Sequence, residues 1–165
     1  MNVNIVGTKF TKPNWFGDFK HMIIENISQN NHESLYIYND NEECQNNKSY
    51  GGGKGNAIIR KFNCYNPDYK NKPYSIGVPT GTLKSGGYTE LNDNSKKYID
   101  YIIQEIKKLL NLHKYKYVYY SIDDISGNIG TYIFEVNDDV IKYITREIHK
   151  ISLHPIQLVC ILENK

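Results

Sequence analysis

The sequence predicts an α/β fold in which helices cover both faces of a mostly parallel or mixed central sheet. Short segments rich in β-branched and aromatic residues alternate with segments that carry an apolar residue every three or four positions. The 165 residues fit one domain, and a chain that is 39% hydrophobic and 23% charged has the composition of a globular protein. This alternation predicts a single three-layer α/β/α domain that spans 1–165.

Each predicted strand is short, apolar and flanked by polar or glycine-rich sequence. The clearest two are SLYIYND, residues 34–40, and YKYVYYSI, residues 115–122, because both are dense in residues that favour strands. We expect about five or six strands in the sheet. The remaining predicted strands are 3–10, 73–81, 131–136 and 156–162.

Three amphipathic helices are predicted over 15–29, 95–112 and 138–150, together with a short helix in NAIIRKF, residues 56–62. The helix 95–112 has the strongest pattern, and Ser95 is expected to cap its N-terminus. An apolar stripe on this helix predicts that one face lies in the core. The stripe consists of Ile99, Ile102, Ile103, Ile106, Leu109 and Leu110.

Charge and hydropathy argue against several classes of function. A net charge of only +2 gives no reason to expect strong binding to nucleic acid. The longest apolar runs fall well short of the ~20 residues that a membrane span needs, and the first residues lack the apolar region of a signal peptide. No membrane association is therefore expected.

Cysteine and histidine usage predicts no metal site and no disulfide framework. The three cysteines, Cys44, Cys64 and Cys160, are widely spaced and form no Cys-x-x-Cys pair. The five histidines show no ligand spacing either, so we expect no metal and no cofactor. A reduced, cytoplasmic setting is the simpler interpretation. Abundant Asn, Lys, Ile and Tyr, all with AT-rich codons, suggest a viral, phage or low-GC bacterial genome.

The glycine-rich segment YGGGKGNAIIR, residues 50–60, lies between a predicted strand and a predicted helix. Glycines at positive φ let backbone N–H groups approach an anion, and a helix N-terminus adds its dipole at the same place. The segment lacks the Ser or Thr that would follow the lysine of a Walker A loop. It is therefore either a phosphate-binding loop or a flexible surface loop. The candidate binding residues are Gly51, Gly52, Gly53, Lys54, Asn56 and Arg60.

A second candidate loop, GNIGTYIF, residues 127–134, follows the predicted strand 115–122. It is either a second phosphate-binding loop or an ordinary tight turn. The loops after Tyr38, Thr80 and Ile122 all leave the carboxyl ends of predicted strands, where α/β proteins bind ligands. We therefore expect residues 51–55 and 127–131 to be neighbours at one end of the sheet.

Together the two loops and the order of the elements around them resemble a known protein family. The order of strand, N-D-N, G-G-G, short helix, strand, long helix, strand and G-x-I-G-T-x-I-F resembles a macro domain over residues 34–151. Macro domains bind ADP-ribose in a three-layer α/β/α fold, and some remove it from proteins or nucleic acids. The spacer between Asn41 and Gly51 is longer than is usual in that family, and Tyr132 stands where a glycine is usual.

The resemblance implies a ligand and a set of contacts. Asn39 and Asn41 are expected near the distal ribose, with Gly51, Gly52 and Gly53 beside it. The second loop is expected to hold the diphosphate and the ribose through its backbone. The residues implied there are Gly127, Asn128, Ile129, Gly130, Thr131, Tyr132 and Phe134.

Three functions remain open. The first is a binder of an ADP-ribose-type or cyclic signalling nucleotide, which a virus could use to sequester such a signal in the host cytoplasm. The second is an ADP-ribosyl hydrolase in which Asn41 and Asp123 place a water. The third is a protein-interaction domain whose glycine loops bind no ligand. No general base is evident, which favours the binder. Oligomeric state and the source organism are not determined by these patterns.

Overall fold

The computed structural model describes residues 3–9, 18–123, 125–131 and 135–153. Strands and helices alternate along these residues, as the sequence predicts. In chain order the elements are β1 (Asn4–Lys9), α1 (Asp18–Ser28), β2 (Ser34–Asp40), α2 (Glu42–Asn46), a 3₁₀ helix (Gly55–Phe62), β3 (Ser75–Pro79), β4 (Gly81–Thr82), β5 (Gly86–Gly87), α3 (Asp93–Leu112), β6 (Tyr117–Ile122), α4 (Asp138–Lys150) and a terminal 3₁₀ turn (Ile151–Leu153).

The main sheet confirms the predicted α/β fold with a mostly parallel sheet. Within the described residues it has four strands in the order β1-β6-β2-β3, and each neighbouring pair is parallel. β4 and β5 form a separate antiparallel hairpin. The predicted strand 156–162 lies outside the described residues. Of the predicted strand 131–136, only 131, 135 and 136 are described, and none of these three lies in a strand.

Strand β2 shows how the sequence builds a layer on each face of the sheet. Leu35 and Ile37 belong to a core cluster with the apolar residues of α3 and α4. Tyr36 and Tyr38 point to the opposite face and belong to a second cluster with α1 and the 3₁₀ helix. Successive side chains of a strand alternate between faces, so one strand serves both cores. The arrangement is helix, sheet, helix.

Helix α3 confirms the predicted apolar stripe but corrects its start. Five of the six residues of the stripe are buried, with Ile99 and Ile106 fully inaccessible to solvent, and Leu109 is half-buried at the edge of the same core. The helix begins at Asp93, and the N-cap is Asn92 rather than Ser95. The Asn92 side chain accepts from Ser95 N at 3.0 Å, and Ser95 Oγ accepts from Asn92 N at 2.9 Å. Ser95 therefore completes a reciprocal capping box instead of opening the helix.

The segment between β2 and the glycines is partly helical, which the sequence did not indicate. Glu42–Asn46 form helix α2, and Asn41 is its N-cap. The segment predicted as a short helix is a 3₁₀ helix, Gly55–Phe62. Helices 15–29 and 138–150 correspond to α1 and α4, and residues 10–17 lie outside the described part of the chain.

The imidazole of His32 makes folding stability depend on pH. Its ring stacks on Tyr74 with centroids 3.8 Å apart, and burial lowers the pKa of His32 below its ordinary value of 6.5. As the pH falls, His32 therefore becomes protonated in the unfolded chain before it does so in the folded protein. The free energy of unfolding is therefore unaffected by the titration of His32 above about pH 6.5, and it decreases as the pH falls from there through the pKa of His32 in the folded protein.

Urea unfolding at pH 8.0 and pH 5.5 measures this effect. We expect the loss of stability at pH 5.5 to be smaller in His32→Phe than in the unmodified protein, because phenylalanine keeps the stacking without titrating. His21→Gln on the exposed surface of α1 is the control and should leave the loss unchanged. Equal pH dependence in His32→Phe and the unmodified protein would contradict this account.

Candidate functional site

The centre of the sheet has a gap between β2 and β6 at their carboxyl ends. The two strands pair only from Ser34 to Tyr36 and from Tyr117 to Tyr119, although β2 continues to Asp40 and β6 to Ile122. The chain then leaves β2 for the 3₁₀ helix on one face and leaves β6 for α4 on the other. Adjacent strands whose connections leave to opposite faces form the crevice where α/β proteins bind ligands.

Asn56, the first residue after Gly55, bridges this gap with its side chain. Its Oδ1 accepts from the backbone N–H of Asn39 at 3.0 Å, and its Nδ2 donates to Ser121 Oγ at 3.1 Å. These two bonds join the end of β2 to the end of β6, where the strands no longer bond to each other. Asn56 is nearly fully buried, so its amide is part of the floor of the site.

Asn39, near the end of β2, has a side-chain oxygen without a donor beside the same gap between β2 and β6. Its Nδ2 donates to Gly130 O at 2.7 Å, and Gly130 N donates to Ser121 O at 3.0 Å. The other atom of the amide, Oδ1, is buried and has no hydrogen-bond partner among the described residues. A buried acceptor without a donor is costly, so this oxygen is suited to a donor supplied by a ligand or a water.

The glycine loop 51–55 lies beside this floor and has the backbone that glycine allows. Gly52, Gly53 and Gly55 have φ of 67°, 94° and 61°. A Cβ on Gly53 would also lie 2.2 Å from Ala57 O, so glycine is required there for two reasons. Residues 51–54 are exposed, and the amides of Gly52 and Gly53 donate to none of the described residues. These N–H groups are available to an anion.

A buried ion pair supports the loop from below. Arg60 Nη2 donates to Asp40 Oδ1 at 2.7 Å, with side-chain exposures of 6% and 4%. Burial raises the pKa of the Asp40 carboxyl, and the Arg60 charge opposes that shift. Burial also disfavours the charged Arg60, but the Asp40 carboxylate raises the pKa of the guanidinium above its ordinary value. Arg60 is thus a buried cation beneath the loop, and its Nε has no hydrogen-bond partner among the described residues.

The second predicted loop lies at the same edge, but its backbone donors are already used. Asn39 and Ser121 bond to Gly130, which brings this loop to the floor next to Asn56. The N–H groups of Gly127, Asn128, Ile129 and Gly130 donate within the protein. Their acceptors are Asp123 O, Ser126 Oγ, Thr145 Oγ1 and Ser121 O respectively.

The expected donation from residues 127–130 to a diphosphate would therefore require internal hydrogen bonds to break. Thr131 is described and half-buried, whereas Tyr132 and Phe134 lie outside the described residues. Of the described residues in the two predicted loops, Gly52 and Gly53 are exposed and have N–H groups without a partner, whereas the N–H groups of residues 127–130 are all engaged.

Both predicted catalytic residues serve as caps of local structure. Asn41 is buried, and its Oδ1 accepts from Cys44 N at 2.8 Å as the N-cap of α2. Asp123 Oδ1 accepts from the N–H groups of Ser126 and Ile125, at 3.0 and 2.9 Å. These two bonds hold the pKa of Asp123 below its ordinary value. In each residue one side-chain oxygen therefore accepts backbone hydrogen bonds that hold local structure.

A cavity of about 350 Å³ is formed by the second loop and the first turns of α4. Its wall mixes aliphatic, hydroxyl and charged side chains and includes both Asp123 and Lys142. The lining residues are Asp123, Ile125, Ser126, Asn128, Ile129, Thr131, Asp138, Ile141 and Lys142.

Three residues of the site are absent from the sequence prediction: Asp40, Gly77 and Ser121. Asp40 pairs with Arg60, Ser121 bonds to Asn56 and Gly130, and Gly77 leaves room for Asp40. The one signal in the sequence is the N-D-N run at the end of a strand, because an aspartate on a buried strand needs a buried partner.

Comparison of the chain with protein-family models, curated proteins and solved structures finds no match. Within residues 3–9, 18–123, 125–131 and 135–153, no helix has the length and apolar character to cross a membrane. The described side chains also include no group of three or more His, Cys, Asp or Glu that could hold a metal ion.

Proposed function

We propose that the carboxyl edge of the sheet binds an ADP-ribose-type nucleotide without turning it over. The observation that carries the proposal is the buried Oδ1 of Asn39, which has no donor among the described residues although its amide is fixed by Gly130. A ribose hydroxyl is a donor of the right kind for this oxygen. The resemblance of the two loops to those of macro domains favours ADP-ribose over other nucleotides.

The diphosphate is assigned to the glycine loop. The N–H groups of Gly52 and Gly53 are exposed and free of described partners, and the positive φ of both residues suits an anion-binding backbone. Lys54 is exposed next to them and adds a positive charge. The occupied amides of residues 127–130 make that loop a wall of the site rather than its anion-binding element.

Binding is favoured over hydrolysis because the two candidate residues are engaged elsewhere. Asn41 Oδ1 caps α2, and Asp123 Oδ1 holds the turn 123–126. In each residue an oxygen that a hydrolase would use to place a water already accepts hydrogen bonds from the backbone. Binding without turnover suits a protein that sequesters a signalling nucleotide, which in a viral setting acts in the host cytoplasm.

Calorimetric titration with ADP-ribose tests the proposal through Asn39. We expect Asn39→Ala to weaken ADP-ribose binding by a factor of about 5 to 150, because a buried hydrogen bond to the ligand contributes about 1–3 kcal/mol when its loss leaves a group unpaired. Asn46→Ala is the matched control, since Asn46 is exposed on α2 and bonds to Tyr98 OH. This variant should bind as the unmodified protein does.

Titration with ADP, which lacks the distal ribose, distinguishes a direct contact between Asn39 and that ribose from a general distortion of the site in the variant. If Asn39 bonds to the ribose, the unmodified protein should prefer ADP-ribose to ADP, and Asn39→Ala should lose that preference. An equal loss for both ligands would place the effect of Asn39 away from the ribose. No heat with ADP-ribose, cyclic ADP-ribose or other adenine nucleotides would favour the interaction domain, and steady release of ADP-ribose from a modified protein would favour the hydrolase.

A further inference from the structure

We propose that the Asp40–Arg60 pair is a positioning device that holds the glycine loop 51–53 in the conformation that binds the anion. This inference rests on the proposed function, since it concerns the same nucleotide site. It assigns Arg60 a role different from the one that its charge suggests, because the guanidinium acts on the loop and makes no contact with the ligand.

The guanidinium joins the loop to the end of β2 through two of its nitrogens. Nη1 donates to Gly51 O at 3.2 Å, and Nη2 donates to Asp40 Oδ1 at 2.7 Å. The same carboxylate oxygen accepts from Asn41 N at 2.9 Å, which fixes the carboxylate against its own strand. With Gly51 O drawn inward, the following peptides lie on the outer surface, where residues 52–54 are exposed.

Two glycines on different elements leave space for this pair. A Cβ on Gly77 of β3 would lie 2.7 Å from Asp40 Oδ2 and 2.7 Å from Tyr38 Cε2. A Cβ on Gly53 would lie 3.2 Å from Arg60 Nη1. The carboxylate and the guanidinium thus each lie against a position where a larger side chain would displace them. The carboxylate in particular has room because position 77 is glycine.

Lysine is a poor substitute for Arg60 in this role. An ammonium is a point charge, whereas the planar guanidinium reaches two acceptors in a fixed fork. Arg60→Lys keeps the charge and the pairing with Asp40 but loses the second bond, to Gly51 O. We therefore expect the loop to loosen and the affinity for ADP-ribose to fall at least about tenfold, while Lys61→Gln on the exposed side of the 3₁₀ helix leaves both unchanged.

The test combines calorimetry with ¹⁵N relaxation of the ligand-free protein. In the unmodified protein we expect the amides of Gly52 and Gly53 to have order parameters near ~0.85, and in Arg60→Lys to fall below about 0.6. Asp40→Asn is the second variant, since it keeps the shape of the carboxylate but removes the charge that holds Arg60, and it should loosen the loop in the same way.

The outcomes separate this proposal from the proposed function. Weaker ADP-ribose binding by Arg60→Lys with unchanged order parameters would mean that Arg60 contacts the ligand, and would overturn the positioning role. Unchanged order and unchanged affinity in both variants would overturn it too. A loop that loosens in both variants of a protein that binds no ADP-ribose would support the positioning role and refute the proposed function.

Discussion

Replacing Asp40 with alanine is expected to lower the free energy of unfolding by about 3–5 kcal/mol, because it leaves the buried guanidinium of Arg60 without a counterion. Both side chains are at least nine-tenths buried, so water cannot replace the lost partner. Urea denaturation measures the change. Glu105→Gln is the control: it breaks the exposed pair of Glu105 with Lys108, and such pairs contribute about 0–1 kcal/mol.

Removal of both charges gives an internal check on this cause. Asp40→Ala combined with Arg60→Met should be more stable than Asp40→Ala alone, because no unpaired charge then remains in the core. A loss in Asp40→Ala as small as that in Glu105→Gln would mean that the pair is solvated, and the double variant would then give no recovery.

Gly53→Ala should have the second large effect, a loss of about 2–5 kcal/mol in the free energy of unfolding together with the loss of ADP-ribose binding. A left-handed φ costs a non-glycine residue about 1–2 kcal/mol, and overpacking costs about 1–3 kcal/mol. A Cβ at position 53 would lie 2.2 Å from Ala57 O, and this backbone atom cannot move unless the 3₁₀ helix moves with it. Thermal and urea unfolding of the variant measure the loss.

Two other glycines separate the two contributions. Gly86 has φ of 80° but open space around a Cβ, so Gly86→Ala should show only the cost of the backbone conformation. Gly51 has open space and no left-handed φ, so Gly51→Ala should be close to neutral. If Gly53→Ala were no more destabilising than Gly86→Ala, the close contact with Ala57 would contribute nothing to the loss in the free energy of unfolding.

The main elements of the fold are predictable from local patterns. The isoleucines of α3 recur at helical spacing because that helix has one buried face, and β2 is apolar from Leu35 to Tyr38 because both of its faces are covered. The predicted start of α3 is wrong because two neighbouring side chains can each cap a helix. Asn92 and Ser95 are both good caps, and only their reciprocal bonding decides where α3 begins.

The candidate site is predictable in part. Asn39, Asn56 and the glycines 51–53 were expected at one edge of the sheet, and the carboxyl-end rule for parallel strands brings them there. The occupied donors of residues 127–130 could not be foreseen. Their acceptors on Ser121 and Thr145 lie on β6 and α4, and a sequence does not reveal which long-range acceptor a loop amide meets.

The buried role of Arg60 also depends on distant residues. A lone arginine near a glycine-rich loop predicts contact with a phosphate. Asp40 lies 20 positions before it and Gly77 lies on the next strand of the sheet. Only the three-dimensional arrangement shows that the guanidinium meets the Asp40 carboxylate, which itself lies against Gly77.

Titration of ¹⁵N-labelled protein with ADP-ribose, followed by two-dimensional NMR, tests the central claim most directly. The account predicts that the largest shifts occur at the side-chain amide of Asn39 and at the backbone amides of Gly52 and Gly53, with those of residues 127–130 smaller. Shifts confined to the cavity lined by Asp123, Asp138 and Lys142, or no shifts at all, would contradict it.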